Sequence, residues 1–190
     1  MKKLLSALLA LTMVLSLTAC GGSKAEETTA PAVEAPTSAL EVLENIWAKY
    51  GDEEKFAVIG GDMANPVSDG PGSYDLADEN ISYTLLIPAD QLSNVTEAAS
   101  MIHMMNANTF TCGVFRLADG VSAADFGAAM KDAVMNNQWM CGFPETLVIE
   151  NIADAYVLVA FGLNDAINPF LTHLAEAYPA ASQLVKESIA

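Results

Sequence analysis

The chain has 190 residues, 52% of them hydrophobic, with 24 acidic side chains against eight basic ones and a formal charge of −16. That balance argues against nucleic-acid binding, which Lys and Arg contacts to phosphate drive. It also argues against flat docking on an anionic membrane; cationic solutes or metal ions match better, although solubility alone explains the same charge.

Residues 1–19 have signal-peptide anatomy. Lys2 and Lys3 form a positive start, and an apolar run of 12 residues, Leu4 to Leu15, is interrupted only by Ser6 and Thr12. A membrane-spanning helix needs about 20 apolar residues, so this run is too short. Leu17-Thr18-Ala19-Cys20 closes it and reads as a lipobox. The pattern resembles bacterial lipoproteins, and the resemblance implies cleavage before Cys20 and a diacylglycerol thioether on Cys20. One acyl chain binds a membrane marginally, whereas two or more hold stably. The expected location is therefore the extracytoplasmic face of the cell membrane, held by the lipid on Cys20.

Residues 20–37 comprise the lipidated cysteine and an acidic tether. Small, acidic and proline residues dominate, so the segment cannot bury enough surface to offset its ordering entropy. Its expected reach as a coil is on the order of 20–25 Å. The mature chain of 171 residues keeps six basic side chains against all 24 acidic ones, a formal charge of −18. Residues 38–190 suffice for a single domain with its own core.

In that domain, Ser38 with Glu41 three residues on is a capping box. Leu40, Leu43, Trp47 and Tyr50 then recur at helical spacing, and Gly51 stops the helix. Residues 56–60 read as a strand. Gly60-Gly61-Asp62 opens a loop rich in glycine and acids that runs to residue 79. The alternation over 81–87 reads as a second strand, ended by Pro88. Leu92, Val95, Ala98, Ala99, Ile102 and Met105 mark a helix over 92–105. Residues 109–117 are a strand, and Asp119-Gly120 a turn. Ser122 caps a helix whose stripe is Phe126, Ala129, Met130, Ala133 and Val134. Residues 146–152 and 156–163 form a hairpin. Asn168 caps a last long helix with Pro169 at its first position, and Pro179 ends it. Residues 180–190 extend as a further helical turn or two. The order αββα-β-αββα predicts an α+β fold: a single, mostly antiparallel sheet of about five strands packed by about four helices. A parallel, right-handed crossover is expected only around the 122–135 helix.

The stretch from Thr109 to Tyr178 carries Phe115-Arg116-Leu117-Ala118-Asp119, Phe143-Pro144-Glu145 and Ala155-Tyr156-Val157-Leu158-Val159. With the lipobox, it resembles the bacterial lipoprotein family named Domain of Unknown Function 4358. The likeness covers about 70 of the 190 residues. It departs at Ala155, where such sequences tend to have glycine, and at Phe143, where they tend to have tyrosine. The resemblance implies an exported, anchored protein and no activity.

Chemistry-bearing residues are few. Cys112 and Cys141 remain once Cys20 is lipidated, and an exported chain invites their pairing. A helix that returns along its strand brings both to one end of the sheet. Closing that loop of about 30 residues would stabilise by about 3.5 kcal/mol. Two buried thiols acting as small hydrophobes are the alternative. Met101-Ile102-His103-Met104-Met105 offers soft ligands for copper(I), but helical spacing assigns its methionines to a core stripe. His173 has no evident partner. Asp62, Asp69, Asp75, Asp78 and Glu79 crowd one loop without the alternating ladder of a calcium loop. No Gly-x-Ser-x-Gly elbow frames a serine. No cofactor, metal or catalytic set is expected. The leading expectation is a non-catalytic envelope lipoprotein whose domain binds an envelope protein or a small solute. The alternative is an envelope enzyme or enzyme subunit using acids of the 62–79 loop.

Overall fold

The structure is a computed structural model that describes residues 35–153 and 155–189. The signal segment, the lipobox with Cys20 and nearly all of the tether lie outside the described residues. The elements are α1 (Ala39–Trp47), β1 (Val58–Gly60), β2 (Val67–Ser68), β3 (Gly72–Tyr74), α2 (Ile81–Thr84), β4 (Val95–His103), β5 (Phe110–Leu117), α3 (Ala123–Met135), β6 (Thr146–Ala153), β7 (Tyr156–Gly162), α4 (Asn164–Ala177) and β8 (Ser182–Ser188).

The fold class is α+β, but the single sheet has eight strands rather than about five. Its order is β2-β1-β4-β5-β7-β6-β8, with β3 also paired to β4, and every ladder is antiparallel. β5 and β6 both run antiparallel to β7, so they are parallel to each other. The crossover expected through α3 does join parallel strands, but β7 lies between them. β7, α4 and β8 repeat this around β6. Two crossovers of one hand, moving the same way from oppositely directed strands, place their helices on opposite faces. That is where they lie. Ile167, Phe170 and Leu174 of α4 join Val42, Leu43 and Ile46 of α1 in one core. Phe126, Met130 and Val134 of α3 join Ile81, Leu85 and Ile87 in the other. β7, covered on both sides, is buried along its whole length.

Several local signals act as the sequence suggests. The Ser38 hydroxyl accepts the Glu41 N–H at 3.1 Å, whereas the Glu41 carboxylate turns to the N–H and hydroxyl of Thr37. Ser122 accepts the Asp125 N–H and starts α3. The hairpin of β6 and β7 forms as expected.

Four assignments are corrected. Residues 92–105 are mainly strand, not helix. Along β4, Ala99 and Met101 enter the α1/α4 core and Val95 and Ala98 enter the α3 core. With both faces buried, apolar residues occupy successive positions, and the run imitates a helical stripe. Tertiary pairing overrides the helix propensity of Glu97-Ala98-Ala99. Residues 81–87 are one helical turn and a loop, not a strand. Ile81 and Leu85 lie four apart on its buried side, and Leu86 at φ 55° breaks the run. α4 begins at Asn164 rather than 168. The Glu145 carboxylate accepts the Asn164 N–H at 2.8 Å, and Pro169 lies on the exposed side inside the helix. Residues 182–188 are an edge strand on β6, not a helical turn; pairing there satisfies backbone groups that β6 would otherwise present to solvent.

Candidate functional site

The end of the sheet where β4 passes into β5 is shaped by two loops without charge. Residues 104–109 and 136–144 contain no Asp, Glu, Lys or Arg. The first loop is tied to the fold by its backbone. The Met104 N–H donates to the Ala57 carbonyl at 3.0 Å, and the Met105 N–H to His103 Nδ1 at 3.0 Å. A turn of 3-10 helix spans Asn106–Asn108, and the Thr109 hydroxyl donates to the Asn106 carbonyl at 2.9 Å. The second loop leaves α3 at Asn136 and is anchored by Trp139, whose ring centroid lies 5.4 Å from that of Phe161.

Gly142 brings the loops together. Its φ is 146°, and a Cβ there would stand 2.6 Å from Thr109 Oγ1 and 3.1 Å from the Asn106 carbonyl oxygen. Between them is an open cleft of about 370 Å³, with Asn106, Thr109, Cys141, Phe143 and Leu163 in its walls. Phe143 lies in its wall, and on the same two loops three methionines are exposed as well. Met140 is 84% exposed, Phe143 67%, Met105 58% and Met104 55%, four of the seven large hydrophobic side chains exposed among the described residues. Apolar surface gathered in one place, rather than scattered, marks an interaction site. Methionine suits such a surface because it is unbranched and adapts its shape.

The residues singled out in the sequence fall elsewhere or in other roles. Cys112 and Cys141 are both free, the first buried and the second exposed. They do lie toward one end of the sheet, since Cys141 stands beside Thr109. Cys112, however, points into the α1/α4 core, while Cys141 follows the helix on the other face. Burial raises the Cys112 thiol well above its ordinary range. Met101 is core, as expected, but Met104 and Met105 are not. His103 stacks on Phe56 with planes 9° apart, and burial lowers its pKa. His173 has partners after all: Nδ1 lies 3.3 Å from Glu176 and Nε2 3.7 Å from Glu54, with Tyr50 packed on the ring. Trp47 is buried and donates from Nε1 to the Asp69 carbonyl, so it ties α1 to the acidic loop.

The acids of the 62–79 loop bind their own backbone. Asp62 is buried, and its carboxylate accepts N–H groups of Ala64 and Asn65 at 2.8 Å, of Asp75 at 3.1 Å, and the Asn65 amide at 3.2 Å. Burial pushes its pKa up, but these hydrogen bonds outweigh it and the net shift is down. Asp75 accepts the Ala77 N–H, and Asp78 accepts the N–H and side-chain amide of Asn80. These acids line neither cleft. The other cleft, a groove of about 590 Å³, runs between Leu86–Asp90 and Ala129, Asp132 and Ala133 of α3. Among the described residues no three His, Cys, Asp or Glu side chains converge on a metal position, and no helix is long and apolar enough to cross a membrane.

The sequence reading missed the rim. Its signal was there: Met140 and Phe143 flank a Gly in a stretch with no helical or strand period, where an apolar side chain has no core to join. Comparison with family models, with curated proteins and with solved structures finds no match for this chain.

Proposed function

We propose that the chain is a lipid-anchored, extracytoplasmic lipoprotein without catalysis of its own, whose domain binds an envelope protein through the rim of Met104, Met105, Met140 and Phe143. The carrying observation is that these four exposed apolar side chains all belong to the two uncharged loops that Gly142 brings into contact, with Phe143 in the wall of the cleft between them. The anchor rests on Leu17-Thr18-Ala19-Cys20 and on the resemblance to bacterial lipoproteins. The partner's chemistry follows from charge. An uncharged apolar centre set in a domain of large negative charge matches an apolar anchor flanked by Lys and Arg. Acidic surroundings speed the approach of such a partner, and the rim holds it.

The test is crosslinking in intact membranes with the wild-type chain and with Met140→Asp/Phe143→Asp. A specific crosslinked protein present with wild type, absent with the double variant and weakened by added salt is the expected result. Equal capture by both chains overturns the docking reading, as does capture of a small solute alone. Cys20→Ala should release the chain from the membrane and abolish fatty-acid labelling; label retained by that variant refutes the anchor.

A further inference from the structure

We infer that the second cleft, between residues 86–90 and α3, binds a free aliphatic diamine, with Asp90 and Asp132 each holding one ammonium end. The inference stands apart from the docking reading, since it uses neither the rim nor the lipid anchor. Its first support is the groove itself. About 590 Å³ is open between the loop of Leu86–Asp90 and Ala129, Asp132 and Ala133 of α3. Small-molecule sites commonly span roughly 300–1,000 Å³, mostly apolar with a few polar groups that fix orientation. Ala129 and Ala133 lie one turn apart on α3, so the same face lines the groove twice with a side chain too small to fill it. On the other wall Leu86 adopts φ 55°, a strained conformation for a residue with a side chain and one that recurs at ligand sites.

The second support is charge. Asp90 belongs to one wall and Asp132 to the other, and both are exposed. Among the described residues neither carboxylate has an ion-pair partner, and neither accepts a hydrogen bond. Asp62, Asp75 and Asp78 differ, since each holds its own backbone. Lys131, next to Asp132 in sequence, pairs with Glu187 of β8 instead. Residues 56–115 contain no Lys or Arg, so the loop wall draws no compensating cation from its own stretch of chain. Two uncompensated carboxylates across an apolar floor match a ligand with two cationic ends.

The third support is the exclusion of other ligand classes. A hard metal ion gains nothing from an apolar floor, and calcium takes about six to eight oxygen ligands, more than this groove offers. A hydrocarbon or an alcohol leaves both carboxylates without a partner. A diamine satisfies both features: each ammonium group donates to one carboxylate, and the methylene chain covers Leu86, Pro88, Ala129 and Ala133. The negative charge of the whole domain raises the local concentration of such a dication.

The test titrates the full chain carrying Cys20→Ala with cadaverine, whose two ammonium groups are joined by a short methylene chain, and reads amide NMR shifts and calorimetry. Saturable shifts confined to residues 86–90 and 129–133 are the expected result. Asp90→Asn/Asp132→Asn should weaken binding about tenfold, the worth of two exposed ion pairs. Asp52→Asn/Glu53→Gln, which removes the same charge elsewhere, should change affinity less than about twofold. Ala133→Leu keeps a good helix former and fills the groove, so binding should be lost while the helix stays intact. Pentanediol should not bind, and amylamine, with one cation, should bind several-fold more weakly than cadaverine. Shifts that never saturate or that spread over the acidic loop overturn the proposal. So does undiminished affinity in the double asparagine variant or in Ala133→Leu, and so does an equal loss in Asp52→Asn/Glu53→Gln. Amylamine as tight as cadaverine also overturns it, since one cation, such as a partner's lysine, would then suffice. None of these variants touches the rim, so protein capture should persist in all of them, and either reading can fail without the other.

Discussion

The acidic loop of residues 61–79 and the rim loops of residues 104–109 and 136–144 are built on opposite plans. In the first, polar side chains turn inward. The Asp62 carboxylate collects three backbone N–H groups, and Asp75 and Asp78 each hold the turn that follows them. In the second, the backbone is held by a few main-chain bonds and one glycine, while apolar side chains face solvent. A loop that satisfies its own donors and acceptors offers little to a partner. A loop that leaves apolar area unburied gains free energy when something covers it, at roughly 25 cal/mol per Å². The crowd of charges drew attention in the sequence, yet the uncharged loops make the better candidate site.

The strongest way to break this contrast is Gly60→Ala. A Cβ there would stand 2.1 Å from the Gly72 nitrogen and 2.4 Å from the Pro71 carbonyl carbon, and backbone atoms cannot rotate aside. The expected loss is about 3 kcal/mol, the upper end of ordinary substitutions, measured by urea denaturation. A loss below about 0.5 kcal/mol would show that the acidic loop is not packed as described.

Asp62→Ala comes next, with a smaller fall in midpoint at pH 7, because buried N–H groups lose their acceptor. The pH dependence has a definite sign. The folded pKa of Asp62 lies below its ordinary 3.8. Its contribution is therefore fully present above the unfolded value and disappears as pH falls through the folded one. Wild type and Asp62→Ala should differ at pH 7 and converge at the acid end. A constant difference across pH would mean the carboxylate is not the active group.

Gly142→Ala should cost about 2 kcal/mol, for a strained backbone and a clash with Thr109 Oγ1. It should also reduce partner capture, since it pushes the rim loops apart. Met140→Ser/Phe143→Ser should leave stability within about 0.5 kcal/mol of wild type while abolishing capture. The smallest perturbation is a thiol count with Cys20→Ala in place. Cys141 should react in the native chain and Cys112 only after unfolding; two unreactive thiols in the denatured, unreduced chain would mean they are bridged.

Residues whose signals are local were legible in the sequence. Ser38 and Ser122 cap their helices because a hydroxyl three residues ahead of an N–H needs nothing from the rest of the chain. The 146–163 hairpin joins neighbours in sequence, so its pairing needs no distant partner. The stripe of Phe126, Met130 and Val134 declared α3 because only one side of that helix meets the sheet. β4 was illegible because its alternation runs between two apolar cores, and no solvent-facing side marks the period.

By itself, the sequence determined the lipobox pattern, the large negative charge, the α+β class and the capped helices, because each is written in adjacent residues or in composition. Tertiary structure decided the rest. β8 is a strand because β6 offers it an edge, and α4 starts early because Glu145 reaches its first N–H. Cys112 and Cys141 share an end of the sheet but are kept apart by its thickness, since one faces α1 and α4 and the other follows α3. The loops that carry Met104, Met105, Met140 and Phe143 lie against each other only because Gly142 lets them touch at Asn106 and Thr109. Spacing along the chain cannot encode such a contact.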